Sequence, residues 1–330
     1  MFRRFCFKVL YTLHVGHYLH YINRKNNKVP VLVFHKITPD YDAAWPGIHP
    51  RLFESILLLL KKQYTVLPIN DLFTKPVSEL KNACFITFDD GYKDYLDYAY
   101  PILKKHNIPS SLFVLPYQIA NMGHIWTSTI TFFIKHYGFE EIESFFKPHR
   151  IPLNPKHKFN YFQLNLEITK RLCELVHAER MKIINELRAK FVIDNRIIEN
   201  ELLSFNELRT LDPKLTCIGS HSLTHPSFKI EADTSFIETE LKESKEIIER
   251  ELGREVSAFA FPFANYNETS LNKVKKLYKL CFTGLNDFID VEKLKATPEG
   301  AHDLKRFNVH QDSAEEVYLL MNGFHKRLKR

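Results

Sequence analysis

The sequence predicts an α/β domain of parallel strands interrupted by one helical insertion. Three observations lead there. Short continuous apolar runs alternate with amphipathic stretches of helical period, first over residues 29–123 and again beyond 205. The runs lack polar alternation, as expected of strands covered on both faces. Between about 124 and 205 the alternation stops and the pattern is mainly helical. With 330 residues, 45% of them hydrophobic, the chain can bury one large core, and one domain with an insertion fits better than two equal domains.

Each element follows from its residues. "VPVLVFH" (29–35) is a first strand, and "HPRLFESILLLLKKQ" (49–63) a helix with Pro50 at its first position. "YTVLP" (64–68) and "ACFITF" (83–88) are the next strands. "YKDYLDYAYPILKKHN" (92–107) is helical, kinked or divided at Pro101, and "SSLFVLP" (110–116) is a strand. The insertion ends at "LSFNELRTL" (203–211), where Ser204 and Glu207 have capping-box spacing. "LTCIGSH" (215–221) is a strand. The helix at 233–252 has Ile237, Leu241, Ile248 and Leu252 on its buried face and Gly253 past its end. Strands at 256–262, 279–284 and 303–310 follow, with helices at 268–278 and 313–328. Repeated β-α units imply right-handed crossovers between parallel strands, with functional sites at the carboxyl ends of those strands.

The net charge is +7, and part of the excess sits at the ends, in "MFRRF" and "FHKRLKR". No nucleic-acid motif accompanies it, so a nucleic-acid partner is not expected. The cysteines at 6, 84, 173, 217 and 281 are odd in number, and none forms a CxxC pair; this favours a reducing compartment over a disulfide framework. Residues 1–25 begin like a signal peptide, but His14, His17 and His20 break the apolar stretch and no cleavage site is clear. The segment is too polar to span a membrane. As an amphipathic surface helix it would carry Phe2, Phe5, Val9, Leu13 and Tyr18 on one side. The expectation is a cytoplasmic protein with peripheral membrane contact, ahead of export on an uncleaved amino-terminal anchor. Its oligomeric state is not legible.

Unusual polar residues follow three strands. Asp89 and Asp90 end the 83–88 strand, His221 and His225 lie in "GSHSLTHPSF", and "FPFANYN" follows "SAFAF". Adjacent buried carboxylates repel unless something positive is shared between them. Histidines four apart on a helical turn would face one side, where they can share a metal. Such a pair alone is more often structural, but the Asp pair tips the balance toward a site. One carboxylate and two imidazoles leave positions open for water and substrate, which suits a hydrolytic Zn2+ or related divalent ion.

"TFDDG" (87–91), "HSLTHP" (221–226) and "FAFPFANYN" (259–267) together resemble, in order, the motifs of the polysaccharide deacetylase superfamily, carbohydrate esterase family 4, with its NodB-homology domain. The resemblance covers about residues 29–310, and "VLVFHKI" looks like a segment of its poly-N-acetylglucosamine deacetylase-like branch. It implies a distorted (β/α) barrel of about seven parallel strands. The organisation would be a basic segment at 1–28 and a catalytic domain at 29–330, with the insertion at about 124–205. The implied activity is hydrolytic removal of N-acetyl groups from an amino-sugar glycan. Water on a divalent metal would attack the amide carbonyl, the metal being Zn2+ first, with Co2+, Ni2+ or Mn2+ as alternatives.

Carried over by residue, Asp89 would be the base, and Asp90, His221 and His225 the metal ligands. A backbone N–H near Phe263 would hold the developing oxyanion. For the proton donor to the amine, His35 is preferred over His310. Many members carry an Arg at the start of the third motif, and this chain does not; Arg306 is the candidate to orient Asp89. Tyr92, Tyr95, Trp126, Phe263 and Tyr266 are aromatics that can stack on sugars, although aromatics are mainly core residues. Deformylation of a lipid-linked amino sugar and hydrolysis of a small cyclic amide are alternative activities. A non-catalytic glycan-binding domain is a third reading, disfavoured because both aspartates and both histidines are present.

Overall fold

The computed structural model describes residues 2–121, 123–191 and 201–327. Seven strands form its centre: β1 (Val31–Phe34), β2 (Ala83–Phe88), β3 (Ser110–Val114), β4 (Thr216–Ser220), β5 (Ala258–Ala260), β6 (Leu280–Leu285) and β7 (Leu304–Asn308). All pair in parallel and in chain order, and the ring closes where β7 returns to β1 with Phe307 opposite Leu32 and Asn308 opposite Val33. The barrel expected from the motifs is therefore present. Its distortion is local: β5 meets β4 through one residue pair, Ser220 and Phe259, and the β6–β7 register shifts between Leu304 and Lys305.

The apolar runs divide their side chains between two cores. In β2, Phe85 joins a cluster with Val31, Phe113, Ala258 and Phe282, inside the ring. Cys84, Ile86 and Phe88 pack outward with the helices. This two-sided burial is why the strands read as unbroken hydrophobic runs.

The helices of seven or more residues are α1 (Phe2–Thr12), α2 (Val15–Lys25), α3 (Pro50–Gln63), α4 (Tyr100–His106), α5 (Trp126–His136), α6 (Phe139–Phe146), α7 (Tyr161–Cys173), α8 (His177–Lys190), α9 (Thr234–Leu252), α10 (Glu268–Leu277) and α11 (Ala314–Met321). Helices α5 to α8 fall between β3 and β4, in the stretch where the alternation pauses. Helix α9 starts at an Asp233 cap, which accepts from the Ser235 and Phe236 N–H groups, and stops at Gly253 with φ 65°.

Several elements differ from the sequence expectation. Pro30 has no N–H to give a ladder, and the first run splits there; Lys28–Val29 pairs antiparallel with Ile289–Asp290. Thr65–Val66 pairs only with Ala83 and Cys84 and stands outside the ring. Before Pro101 the chain makes a π-helical turn, Tyr95–Ala99, where a regular helix would leave a carbonyl without its donor. The amino-terminal segment forms two helices, broken at His14 with φ 59°. Phe5, Val9, Leu13 and Tyr18 are exposed there, as is Tyr21. The side chain of Phe2 and residues 328–330 of the basic tail lie outside the described set. Among the described residues no helix is long and apolar enough to cross a membrane.

One glycine is required by close approach. A Cβ built on Gly219 of β4 would lie 2.5 Å from the Phe113 ring and 3.0 Å from the Ala258 carbonyl oxygen. Gly219→Ala is expected to cost about 1–3 kcal/mol through overpacking. Urea unfolding reads this directly, and an unchanged midpoint would contradict it.

Candidate active site

Five side chains, Asp89, Asp90, His221, His225 and Arg306, meet toward the carboxyl ends of β2, β4 and β7. β2 delivers Asp89, and the chain turns sharply at Asp90 (φ 75°) and Gly91 (φ 76°). That turn lets neighbouring carboxylates point to different partners. Asp89 receives two hydrogen bonds from Arg306, Nη1 to Oδ1 and Nη2 to Oδ2, both 2.7 Å. The pair is buried, with Asp89 4% and Arg306 4% exposed. Burial alone would raise the Asp89 pKa; the Arg306 guanidinium outweighs it and holds the carboxylate below its ordinary range. Arg306 is itself positioned by the barrel interior, between Phe113 (5.5 Å) and Phe282 (5.2 Å). This is the geometry expected of Arg306 in place of the missing motif arginine.

Asp90 faces the histidines. Its Oδ1 lies 3.3 Å from His225 Nε2 and 3.5 Å from His221 Nε2. Neither contact is aligned as a hydrogen bond, and this buried oxygen has no hydrogen-bond partner among the described residues. One ligand atom from each of Asp90, His221 and His225 lies within 4.8 Å of the others. His221 Nδ1 is 2.7 Å from the Ala260 carbonyl oxygen, so Nδ1 carries the proton and Nε2 keeps its lone pair for a ligand role. Burial pushes the His221 pKa down to about 4, which keeps the ring neutral. For Asp90, burial would raise the pKa, but its contacts with His225, His35 and His221 outweigh this and hold the carboxyl below its ordinary range. An orphaned carboxylate oxygen beside two imidazole nitrogens is a donor set that could hold a divalent cation.

The histidines do not stand on a helical turn. They follow β4 in a loop, where Ser222 (φ 74°) and His225 (φ 64°) are both left-handed. Two such residues fold the loop back and bring the rings together, with centroids 5.1 Å apart. Glu240 on α9 braces this loop, accepting from the Leu223 and Thr224 N–H groups at 2.9 Å and from the Thr224 hydroxyl. Trp126 Nε1 donates to the His225 carbonyl at 2.9 Å.

These residues open onto a cavity of about 260 Å³. Of the other expected site residues, His35, Tyr92 and Phe263 line it. Phe263, at φ 58°, sets its ring 4.6 Å from His225. His310 does not line it: it is exposed beside a separate hollow with Phe307, Gln311 and His325. The reason is that β7 ends at Asn308, so strand alternation no longer aims residue 310 inward. Of the other aromatics, Tyr95 is a core residue bonded to Ser110 and Thr216, Trp126 supports the histidine loop, and Tyr266 stacks on Phe261.

Sequence reading missed Lys36, Trp45 and Asn165, which also line the cavity, and Glu240 behind it. Lys36 pairs with Glu201 at 2.9 Å and lies 4.3 Å above the Tyr92 ring. Only Glu240 left a signal, as a charged residue on the apolar stripe of its helix beside Leu241.

A ring of seven parallel strands with a buried carboxylate and an Asp-His-His cluster that could hold a metal at one end is an arrangement suited to hydrolytic chemistry. The chain belongs to the polysaccharide deacetylase family, whose sequence profile matches residues 77–131 and 168–279, just over half of its length. A putative polysaccharide deacetylase, YxkH of Bacillus subtilis (strain 168), is 28% identical over 110 residues, 31% of this chain. That match spans only 37% of the curated relative. The Streptococcus pyogenes deacetylase PplD, solved in complex with acetate, superposes with a TM-score of 0.57 at 20% identity, over 89% of this chain and 98% of that one. A de-N-acetylase from Aggregatibacter actinomycetemcomitans gives 0.54 at 16% identity, over 88% and 100%. At these identities the structures share the fold.

If Glu240 positions the histidine loop, Glu240→Ala weakens Zn2+ binding by about 10–100-fold, as loss of a bracing carboxylate does elsewhere. Calorimetric titration of purified protein with Zn2+ reads it. Unchanged affinity would remove Glu240 from the site.

Proposed function

We propose that this protein is a metal-dependent deacetylase that removes N-acetyl groups from an amino-sugar glycan. The observation that carries the proposal is one cavity holding two differently partnered aspartates. Asp89 is locked to Arg306, and Asp90 faces His221 and His225. The names of the structural neighbours, a deacetylase and a de-N-acetylase, belong to those proteins but are consistent with this chemistry.

Asp90, His221 and His225 would hold the cation, Zn2+ ahead of Co2+, Ni2+ or Mn2+ on the nitrogen-rich donor set. Such an ion, when bound, supplies Lewis acidity and lowers the pKa of water toward about 7. Asp89 accepts the proton of the attacking water; each of its oxygens bonded to Arg306 retains another lone pair. Arg306 orients this base. Phe263 lines the cavity, and a backbone N–H near it would donate to the acyl oxygen. His35, on the cavity wall, returns a proton to the leaving amine. A lipid-linked amino sugar or a small cyclic amide remains a second substrate class for the same machinery.

The test is acetate release from chitooligosaccharides, poly-N-acetylglucosamine and lipid-linked N-acetyl sugars. Activity is expected to vanish with chelator and in Asp89→Asn, and to fall about 10²–10⁴-fold in His35→Ala, the usual worth of a proton-transfer group. It should persist in His310→Ala. Chelator-resistant turnover would sink the metal mechanism, and full activity in Asp89→Asn would sink the base.

The same proposal includes a cytoplasmic location with peripheral contact to an anionic membrane surface. The free cysteines are consistent with a reducing compartment. Exposed Phe5, Val9, Leu13, Tyr18 and Tyr21 on α1, α2 and the link between them, among exposed Lys8, Arg24 and Lys25, suit an interfacial helix pair. Co-sedimentation with phosphatidylserine vesicles is expected for the wild type and not for Leu13→Glu/Tyr18→Glu. Failure of the wild type to bind would refute the contact.

A further inference from the structure

The cavity has a side that the barrel does not build. Asp89, Asp90, His221 and His225 form its floor. Facing them are Thr127, Ser128 and Thr131 of α5 and Asn165, Leu166 and Thr169 of α7. Trp45, from the loop between β1 and α3, stands beside that face. A polymer groove open at both ends would be bounded by the barrel loops alone. Here two helices of the insertion close one flank.

The flank is built firmly. Asn165 is 2% exposed and uses its amide fully: Nδ2 donates to the Ala44 carbonyl at 3.1 Å and to Thr131 Oγ1 at 2.9 Å. Its Oδ1 accepts from the Thr169 hydroxyl at 3.1 Å. One side chain thus ties α5, α7 and the Trp45 loop together. Lys135 of α5 adds an ion pair with Asp42 at 2.8 Å, and Asp42 in turn accepts from the Ala44 and Trp45 N–H groups. Trp45 is seated between His35 (5.9 Å) and Phe162 (6.1 Å). Moving this wall aside would break several hydrogen bonds, the one from Asn165 to the Ala44 carbonyl fully buried, so it acts as a fixed boundary.

Size gives the consequence. The cavity is partly open to solvent, and its volume, about 260 Å³, falls below the roughly 300 Å³ at which pockets for drug-sized ligands begin. One acetylated amino-sugar ring matches that space, and two linked rings exceed it. The wall offers hydroxyl groups to sugar hydroxyls, and Leu166 (38% exposed) with Leu285 (42% exposed) forms an apolar rim at the mouth. Part of this wall lies outside the family profile, while Thr127, Ser128, Thr131 and Thr169 fall within it. Trp45, Asn165 and Leu166 fall outside the residues matched by the family profile, which leaves out 132–167.

We infer that the site accepts a single terminal amino-sugar ring, at the free end of a glycan or as the lone sugar of a carrier-linked intermediate, and excludes the internal rings of a polymer. This rests on the deacetylase reading above. Specificity then lies with Trp45, Thr131, Asn165, Leu166 and Thr169, while the barrel supplies the chemistry.

The experiment is positional. N-acetylglucosamine tetramer is incubated with the intact protein and Zn2+, and the products are sequenced by mass spectrometry. Loss of acetyl from one terminal ring only is the expected result. Leu166→Ala/Thr169→Ala, which lowers the rim without touching the Asp and His residues, is expected to raise the share of internal deacetylation by about tenfold, the worth of a few methylenes in a pocket. Acetyl loss from internal rings in the wild type overturns the inference while leaving the deacetylase reading intact. An unchanged pattern in the double variant removes the wall as the determinant. Absence of acetate from both the tetramer and single N-acetylated sugars overturns the deacetylase reading itself, and the inference falls with it.

Discussion

Two hydrogen bonds of 2.7 Å join Arg306, on the last barrel strand, to Asp89, past the end of the second. Removing one member of such a buried pair typically costs about 3–5 kcal/mol, because the other is left charged and dry. Here the pair does more than stabilise. It gives Asp89 one orientation, and it sets the local charge. Two buried carboxylates and one guanidinium leave a single negative charge over, at Asp90, whose Oδ1 lacks a donor. The His221 imidazole beside it, kept neutral by burial, offers a lone pair and no compensating charge. The simplest completion is a cation. What first reads as repulsion between neighbours is a division of labour set by which partner each carboxylate meets.

Backbone conformation makes this division geometrically accessible. Asp90, Ser222, His225, Phe263 and Ala264 all have positive φ, and all lie in loops that form or border the site. Each costs of order 1–3 kcal/mol when a residue other than glycine adopts it. The cost is offset by contacts behind the loops, among them Glu240 under Leu223 and Thr224, and Trp126 under His225. A chain with few glycines thus places its sharpest turns where side chains are needed on the turning residues themselves.

Much of the fold was legible because burial on both faces leaves an unmistakable pattern. "ACFITF" coincides with β2, and the helix begun at Asp233 and ended at Gly253 lies where its caps put it. The site was legible in residue type and less so in geometry. His221 and His225 do converge, but on a looped path that a spacing of four does not reveal. Arg306 stands 217 positions from Asp89 and could be named only as a candidate. His310 reads as the end of a strand over 303–310, whereas the strand stops at Asn308 and leaves it outside the cavity. Trp45 and Asn165 left no local signal, since their roles arise from how the insertion packs over the barrel.

The order of strands around the ring has a consequence in time. Each strand can join its predecessor as it leaves the ribosome, but the seam between β1 and β7 can close only after residues 304–308 have been made. Asp89 acquires Arg306 at that same late moment. A nascent chain that has not reached β7 therefore carries its motif residues without the arginine that holds Asp89, and synthesis of that strand coincides with assembly of the Asp89–Arg306 pair.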